Sequence, residues 1–285
     1  MPSKAFKLAV IFSDIEHILS PAFAHPRRKK LLVDYLRIRT KAFFNRWFHF
    51  KKEHFLSYQV EFPDYEIFFV VFRQIFVRHT YYFESSKPNP IVIDCGGNIG
   101  MATLYFKYLY PNATIAVFEP SREVYSYIEQ NLRKNTLSNI TLVNAAVYDT
   151  QREMTMYPRG AAASGNTLNK GVSLATNKIA SLEPYTVQTI KLSTYVTDTI
   201  DFLKLDIEGS EGVVLSELQK TNALRHVMAT SMEYHASTDS HENELGEILS
   251  LLTSNSFETE LYFEDLAPAG LHAPHLPGIR ATRNA

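Results

Sequence analysis

The chain has 285 residues, 45% of them hydrophobic and 21% charged, with a formal net charge of −1 and one cysteine, Cys95. That length buries one large core with room for an accessory layer, and a lone cysteine excludes an intramolecular disulfide framework, so a cytoplasmic location is expected. The small net charge hides an asymmetry: residues 1–54 hold 12 Lys/Arg against 4 Asp/Glu and the remainder 17 against 26, so the basic segment can face an anionic substrate, a membrane surface, a partner, or the acidic body of its own chain.

In chain order, Lys4 and Lys7 precede a short apolar run, Leu8 to Phe12, which Asp14 and Glu16 interrupt too early for a signal peptide or a membrane span. Residues 28–54 place Leu32, Tyr35, Leu36, Phe43 and Trp47 at helical spacing, with Arg37, Arg46 and Lys51 falling elsewhere. This predicts an amphipathic helix or helix pair and makes residues 1–54 a basic helical extension. Residues 55–90 read as a helix and strand preamble packed on the core. Its most apolar stretch, Ile67 to Val77, contains Arg73 and suits a buried element, so no transmembrane segment is expected. Lys87-Pro88-Asn89-Pro90 then keeps the chain extended.

From residue 91 strands and helices alternate. Ile91 to Asp94, Thr114 to Phe118, Ile140 to Val143, Phe202 to Leu205, His226 to Met232 and Glu258 to Phe263 read as strands. Met101 to Tyr110, Arg122 to Lys134, Gly209 to Lys220 and Glu242 to Leu252 read as helices. The pattern predicts an α/β fold over 91–265 with a doubly wound, Rossmann-like, mostly parallel sheet. Residues 149–192 interrupt it with two β-like runs, Met154 to Tyr157 and Val187 to Leu192, which predict a hairpin insertion whose tip lies at Gly160 to Gly171. Residues 266–285, with three prolines from Ala267 onward, read as an irregular tail.

Ligands of such sheets bind beyond the strand ends where strand order reverses. The first strand leads into Asp94-Cys95-Gly96-Gly97-Asn98-Ile99-Gly100. A dinucleotide fingerprint needs glycine at 96, 98 and 101, where this chain has Gly96, Asn98 and Met101, which disfavours NAD or FAD. S-adenosylmethionine brings an ammonium and a sulfonium instead of a pyrophosphate, which suits an acid at the strand end. Asp94 is expected to meet the ammonium directly or through water, Gly96 and Gly97 to let the backbone approach the ligand, and Gly100 to let the next helix pack closely. Glu119, followed by Pro120 and 25 residues after Asp94, is placed to accept the ribose hydroxyls. Backbone amides of Asn144, Ala145 and Ala146 are candidates for the adenine.

Ile93-Asp94-Cys95-Gly96-Gly97-Asn98-Ile99-Gly100, Phe118-Glu119-Pro120, Asn144-Ala145-Ala146-Val147 and the run Leu203-Lys204-Leu205-Asp206-Ile207-Glu208-Gly209-Ser210-Glu211 together resemble the FkbM family of class I methyltransferases over about residues 58–265. The resemblance implies S-adenosylmethionine as methyl donor and O-methylation of a hydroxyl on a sugar, polyketide or other secondary metabolite. Methyl transfer is an in-line displacement that needs an aligned nucleophile and, for an alcohol, a proton acceptor. Asp206 and Lys204 at the end of one strand, and Glu233 and His235 at the end of the next, are the catalytic candidates: His235 or Asp206 as base, Lys204 orienting a carboxylate or the substrate. Glu211 reads as an acid complementing the start of its helix.

No metal is assigned. Asp206, Glu233 and His235 could converge as hard ligands, but no ligand spacing demands an ion, so a divalent metal is not expected. His272 and His275 lie in the proline-rich tail without helical context. The expected partner is a small-molecule or peptide acceptor, and a homo-oligomer stays open. Nucleic acid is not expected, because the motif-bearing part is acidic and lacks the Asn/Asp-Pro-Pro-aromatic loop of base-methylating enzymes. The competing readings are N-methylation of an amide or amine, and a non-catalytic S-adenosylmethionine-binding protein.

Overall fold

A computed structural model describes residues 4–20, 27–158, 166–169, 183–236, 244–263 and 277–283. Two helices, α1 (Lys4–Leu19) and α2 (Arg28–Phe48), are followed by a hairpin of β1 (Lys52–Phe55) and β2 (Tyr58–Glu61) and by α3 (Tyr65–Phe72), which runs into one π turn over Arg73–Val77. Asp64 starts α3 by accepting from the amides of Glu66 and Ile67 at 2.8 and 3.0 Å. The rings of Phe62, Phe68, Phe72 and Phe76 stack in succession with centroids 4.3, 6.0 and 6.0 Å apart, because aromatic residues four apart share one helical face.

The alternating part follows as β3 (Ile91–Cys95), α4 (Met101–Leu109), β4 (Thr114–Phe118), α5 (Arg122–Lys134), β5 (Ile140–Val143), β6 (Ala146–Tyr148), β7 (Glu153–Met156), β8 (Tyr185–Lys191), β9 (Phe202–Leu205), α6 (Glu211–Lys220), β10 (Ala229–Glu233), α7 (Leu245–Ser254), β11 (Phe257–Phe263) and β12 (Pro277–Arg283). The main sheet has seven strands in the order β11-β12-β10-β9-β3-β4-β5. β3, β4, β5, β9 and β10 are joined by parallel pairings, and only β12 runs antiparallel to both its neighbours. The chain steps outward from β3 to β5 and returns on the other side as β9, so the order reverses between β3 and β9, and a crevice opens at the carboxyl ends there.

Side chains alternate across the strands. Val92 and Phe202 join a core shared with α1 to α4, whereas Ile93, Leu203 and Leu205 join one with α6 and α7. The basic helices are therefore part of one face of the core through Ile18, Leu31, Tyr35 and Ile38. Asp14 of α1 locks them down. It is fully buried and pairs with Arg73 at 2.7 Å and Arg78 at 2.6 Å while accepting from Tyr35 Oη at 2.7 Å. This explains the arginine inside an apolar run. No helix among the described residues is long and apolar enough to cross a membrane.

Three expectations need correction. Residues 28–48 form one helix, one of the two forms expected, but only part of its apolar set is inside: Tyr35 is buried, whereas Leu36, Phe43 and Trp47 are exposed. The insertion has the expected hairpin, β7 against β8, but β8 also pairs in parallel with β6 to make a three-stranded sheet. Of the insertion's tip only residues 166–169 are described. The tail is not irregular throughout, since residues 277–283 form β12 between β10 and β11. Pro277 opens that strand, where its missing amide is tolerated. Ile279 and Ala281 are buried in alternation with Arg280 and Thr282. Arg283 fastens its end by donating to the carbonyls of Leu224, Val227 and Asn255 at 2.7–3.1 Å. His272 and His275 lie outside the described residues.

Ile279→Ala should destabilise the protein by about 2–4 kcal/mol, the range of a large-to-small change in a packed core. Urea denaturation measures it, and a loss within about 0.5 kcal/mol, typical of a solvated tail, would contradict the placement of β12.

Candidate active site

Asp94 and Lys204 are register partners on adjacent strands, and both side chains are almost wholly buried. Lys204 Nζ lies 3.2 Å from Asp94 Oδ1 and donates to the carbonyls of Cys95 and Gly96 at 3.1 and 2.8 Å. Asp94 Oδ2 accepts from Thr103 Oγ1 of α4 at 2.8 Å. Burial favours the neutral amine, yet the carboxylates of Asp94 and Asp206 hold Lys204 above its ordinary pKa, as a cation. Asp94 thus faces the inside of the fold and anchors the glycine loop; it does not line the crevice. Lys204 orients that carboxylate and the loop carbonyls.

The glycines serve packing more than ligand approach. Gly96 has φ +83, and a Cβ there would strike the carbonyl of Asp206. At Gly97 a Cβ would come within 2.5 Å of Val117 Cγ1 and 2.9 Å of Ile128 Cδ1. Gly100 caps the start of α4, away from the crevice. The amides of Gly96 and Gly97 both donate to Phe118 O at 3.0 Å, which ties the loop to the end of β4.

Glu119 stands at that end, buried. Its two oxygens accept from the amides of Asn98 and Ser121 at 3.0 and 2.9 Å. Burial pushes its carboxyl up to about 7, against the lowering effect of those two amides. Asn144 donates to the carbonyls of Glu119 and Pro120 at 2.8 and 3.1 Å, so it fixes this turn and does not line the crevice.

On the other side of the loop, Asp206 Oδ2 accepts from Tyr81 Oη at 3.2 Å and lies 3.7 Å from Lys204 Nζ. Glu208, with φ +55 in the left-handed region that non-glycine residues rarely occupy, puts Oε2 3.3 Å from His235 Nε2. His235 Nδ1 lies 3.0 Å from Glu211 Oε1, and Glu233 Oε1 lies 3.8 Å from Nε2. Glu211 is fully buried and accepts from the amides of Ile207 and Gly209 at 3.1–3.2 Å, which ties down the turn before α6. Burial alone would keep His235 neutral, but the carboxylates of Glu208, Glu211 and Glu233 raise it well above its ordinary value. A cationic ring has no lone pair, so the expected base is not one in this state. Asp206, Glu208 and His235 each offer a potential ligand atom within 4.8 Å of the others, with the ring nitrogen already engaged.

Several of these parts line one crevice, at the carboxyl ends of the parallel strands where ligands of such sheets bind. Gly96, Asn98, Glu119, Pro120, Ala145, Ala146 and Asp206, all named as candidates above, line it. Asp94, Gly97, Gly100, Asn144 and Lys204 support it from behind. Glu233 and His235 act on its margin through Glu208. Sequence reasoning left out Glu208, which the unusual backbone turns inward, and Met156, Asn166 and Leu168 from the insertion. The insertion reaches the acidic turn directly, where Thr167 Oγ1 donates to Glu208 O at 2.5 Å. No local signal marks the insertion residues, because their contact depends on how β6 and β8 pair.

Lys204→Met should cost about 3–5 kcal/mol, because it strands Asp94 as an uncompensated buried charge. Adding Asp94→Asn should restore a large part of that loss. Denaturant melts of both variants provide the check, and equal losses in the single and double variants would contradict the coupling.

Residues 94–259 match the family model of the methyltransferase FkbM domain. The chain is similar to Methyltransferase 1 of Beauveria bassiana (strain ARSEF 2860), 29% identical over 164 residues that cover 52% of this chain and 66% of that protein. It is also similar to 31-O-demethyl-FK506 methyltransferase FkbM of Streptomyces tacrolimicus, 25% identical over 217 residues, 66% of this chain and 80% of the relative. Against the solved structure of methyltransferase FkbM from Methylobacillus flagellatus KT the TM-score is 0.48 at 12% identity, covering 96% of this chain and 59% of the other. The chain spans about two thirds of the first relative's length. With the family match running from Asp94, at the end of the central strand, to Thr259 on β11, more than half of the sequence falls within one domain, and the chain belongs to the FkbM methyltransferase family.

Proposed function

We propose that this protein is an S-adenosylmethionine-dependent O-methyltransferase acting on a hydroxyl of an uncharged or cationic small molecule: a sugar, a natural product or a peptide-derived acceptor. The observation that carries this reading is that Glu119 and Asp206 line one crevice, on either side of the Gly96 to Gly100 loop. The residues present fit the donor. Glu119 supplies an acceptor for a ribose diol, Ala145 and Ala146 leave room for a flat ring, and the surplus of carboxylates around Asp206 and Glu208 suits a ligand with net positive charge. When bound, S-adenosylmethionine supplies a methyl group on a sulfonium.

The chain's own residues do the rest. Asp206, lining the crevice and held by Tyr81 and Lys204, takes the hydroxyl proton as the oxygen attacks. Glu208, braced by cationic His235, orients the acceptor. The acidic rim of Asp206, Glu208 and Glu233 disfavours phosphorylated or carboxylated acceptors. The S. tacrolimicus relative, whose name specifies a 31-O-demethyl substrate, supports oxygen as the acceptor atom.

Asp206→Asn should lower kcat by about 100-fold or more, the contribution of a positioned base, a loss that persists at saturating cofactor once any weaker binding is measured by calorimetry. An amine acceptor that loses its proton to solvent would keep most of its rate, and that outcome would favour N-methylation.

Because the Glu119 carboxyl titrates at about 7 and a ribose diol donates best to its ionised form, affinity for S-adenosylmethionine should rise between pH 6 and pH 8. Glu119→Gln should flatten the profile at a lower affinity. In the ligand-free protein the sign is opposite: the raised pKa means this group's stabilisation is complete below about pH 4.5 and is lost as pH rises through about 7. Calorimetry and thermal melts across this range separate the two effects.

A further inference from the structure

Helix α2 is apolar on two opposite sides. Leu31, Tyr35 and Ile38 face the core, whereas Val33, Leu36, Phe43, Phe44, Trp47 and Phe48 are exposed, Phe43 by 63%, Trp47 by 54% and Phe48 by 66%. At 3.6 residues per turn, Leu36, Phe43 and Trp47 lie along one outward line with Val33 and Phe44 beside it. The rings of Phe43, Phe44 and Trp47 touch one another at centroid distances of 5.2, 6.0 and 5.9 Å. They form a continuous aromatic end of the helix in contact with solvent. Single exposed apolar residues are ordinary, but a contiguous patch of this kind marks a surface that meets something.

The charges around it identify what that is. Of the four acids in residues 1–54, Asp14, Asp34 and Glu53 are buried. Asp14 is paired with Arg73 and Arg78, Asp34 with Arg37, and Glu53 with Arg37 and Lys41. Three of the four acids thus point inward, only Glu16 is exposed, and the surface keeps an excess of cations. Lys29 shares the outward line of Leu36, and Lys51 and Lys52 are exposed just beyond Phe48. Aromatic rings flanked by lysine and arginine are what an interfacial helix presents to anionic lipid: the rings enter the headgroup boundary and the cations meet phosphate. A second copy fits less well, because two-fold pairing would bring two segments of 12 Lys/Arg against 4 Asp/Glu together. The patch also lies outside the family match, which begins at residue 94.

We infer that the outward face of α2 docks the protein on an anionic phospholipid bilayer, with the helix lying along the surface and Phe43, Phe44, Trp47 and Phe48 at the level of the headgroups. The remainder of the chain, with 17 Lys/Arg against 26 Asp/Glu, is repelled by the same surface, so the charge asymmetry orients the molecule with its basic helix down.

Trp47 is the sole tryptophan, so its fluorescence reports on the patch directly. The full-length protein is titrated with vesicles of phosphatidylcholine and phosphatidylserine at 3:1, and with phosphatidylcholine alone, following Trp47 emission and co-sedimentation. Docking predicts a blue shift and sedimentation with the mixed vesicles, reversal of both in 0.5 M NaCl, and weak binding to the neutral ones. Phe43→Ser with Phe44→Ser, and separately Lys29→Glu with Lys52→Glu, should each weaken vesicle binding at least tenfold while leaving the melting temperature nearly unchanged. No sedimentation with mixed vesicles would overturn the inference. So would a blue shift that appears without lipid as protein concentration rises, which would assign the patch to a second copy, or unaltered binding of both variants.

Discussion

The ion pair between Lys204 and Asp94 is the constraint on which the crevice depends. Two charges leave water together, and their removal is offset by the partners they keep: Thr103 on one carboxylate oxygen, the ammonium 3.2 Å from the other, and the carbonyls of Cys95 and Gly96 on the ammonium. That arrangement sets the height of the glycine loop above the sheet. The loop in turn places the amide of Asn98 on Glu119, and Gly96 lets the Asp206 backbone come close enough to share the crevice. The two ends of the site, more than 80 residues apart in sequence, are thus held to one another by a single buried lysine.

A second network works at the end of the crevice beside Glu208. His235 is gripped at both nitrogens, by Glu211 on one side and Glu208 on the other. Glu211 also closes the turn before α6, so the position of Glu208 is fixed from its backbone and from its side chain at once. Such a cationic ring among carboxylates is a rigid strut, and it lets a left-handed glutamate persist at the edge of a site.

Much of this was legible in the sequence. From Ile91 to Phe263 short apolar runs alternate with helical segments, and the ends of the elements fall within a few residues of those expected. Glu119 and Asp206 were identifiable because each follows a strand directly, so topology alone brings it to the crevice. The remainder depends on register and packing. That Asp94 turns inward follows from its alignment with Lys204 across 110 residues of chain. The charge of His235 comes from three glutamates on two separate turns. Periodicity counted Phe43 and Trp47 with Tyr35 because it registers spacing along a helix and is blind to which side the body of the protein occupies. β12 was missed because prolines, a glycine and two arginines dilute a pattern that Ile279 and Ala281 alone reveal.

The place of β12 has a bearing on the order in which the molecule can be assembled. β10 and β11 do not pair with each other; they are joined only through the strand that lies between them, and that strand is translated after both. Until residues 277–283 emerge, β10 presents an open edge, and the amide of Tyr234, next to Glu233 and His235, lacks the Pro277 carbonyl it donates to at 3.0 Å. The glycine loop and the Glu119 side of the crevice are built from strands made much earlier. Folding therefore completes the sheet edge beside Glu233 and His235 last, after the strands that carry the glycine loop.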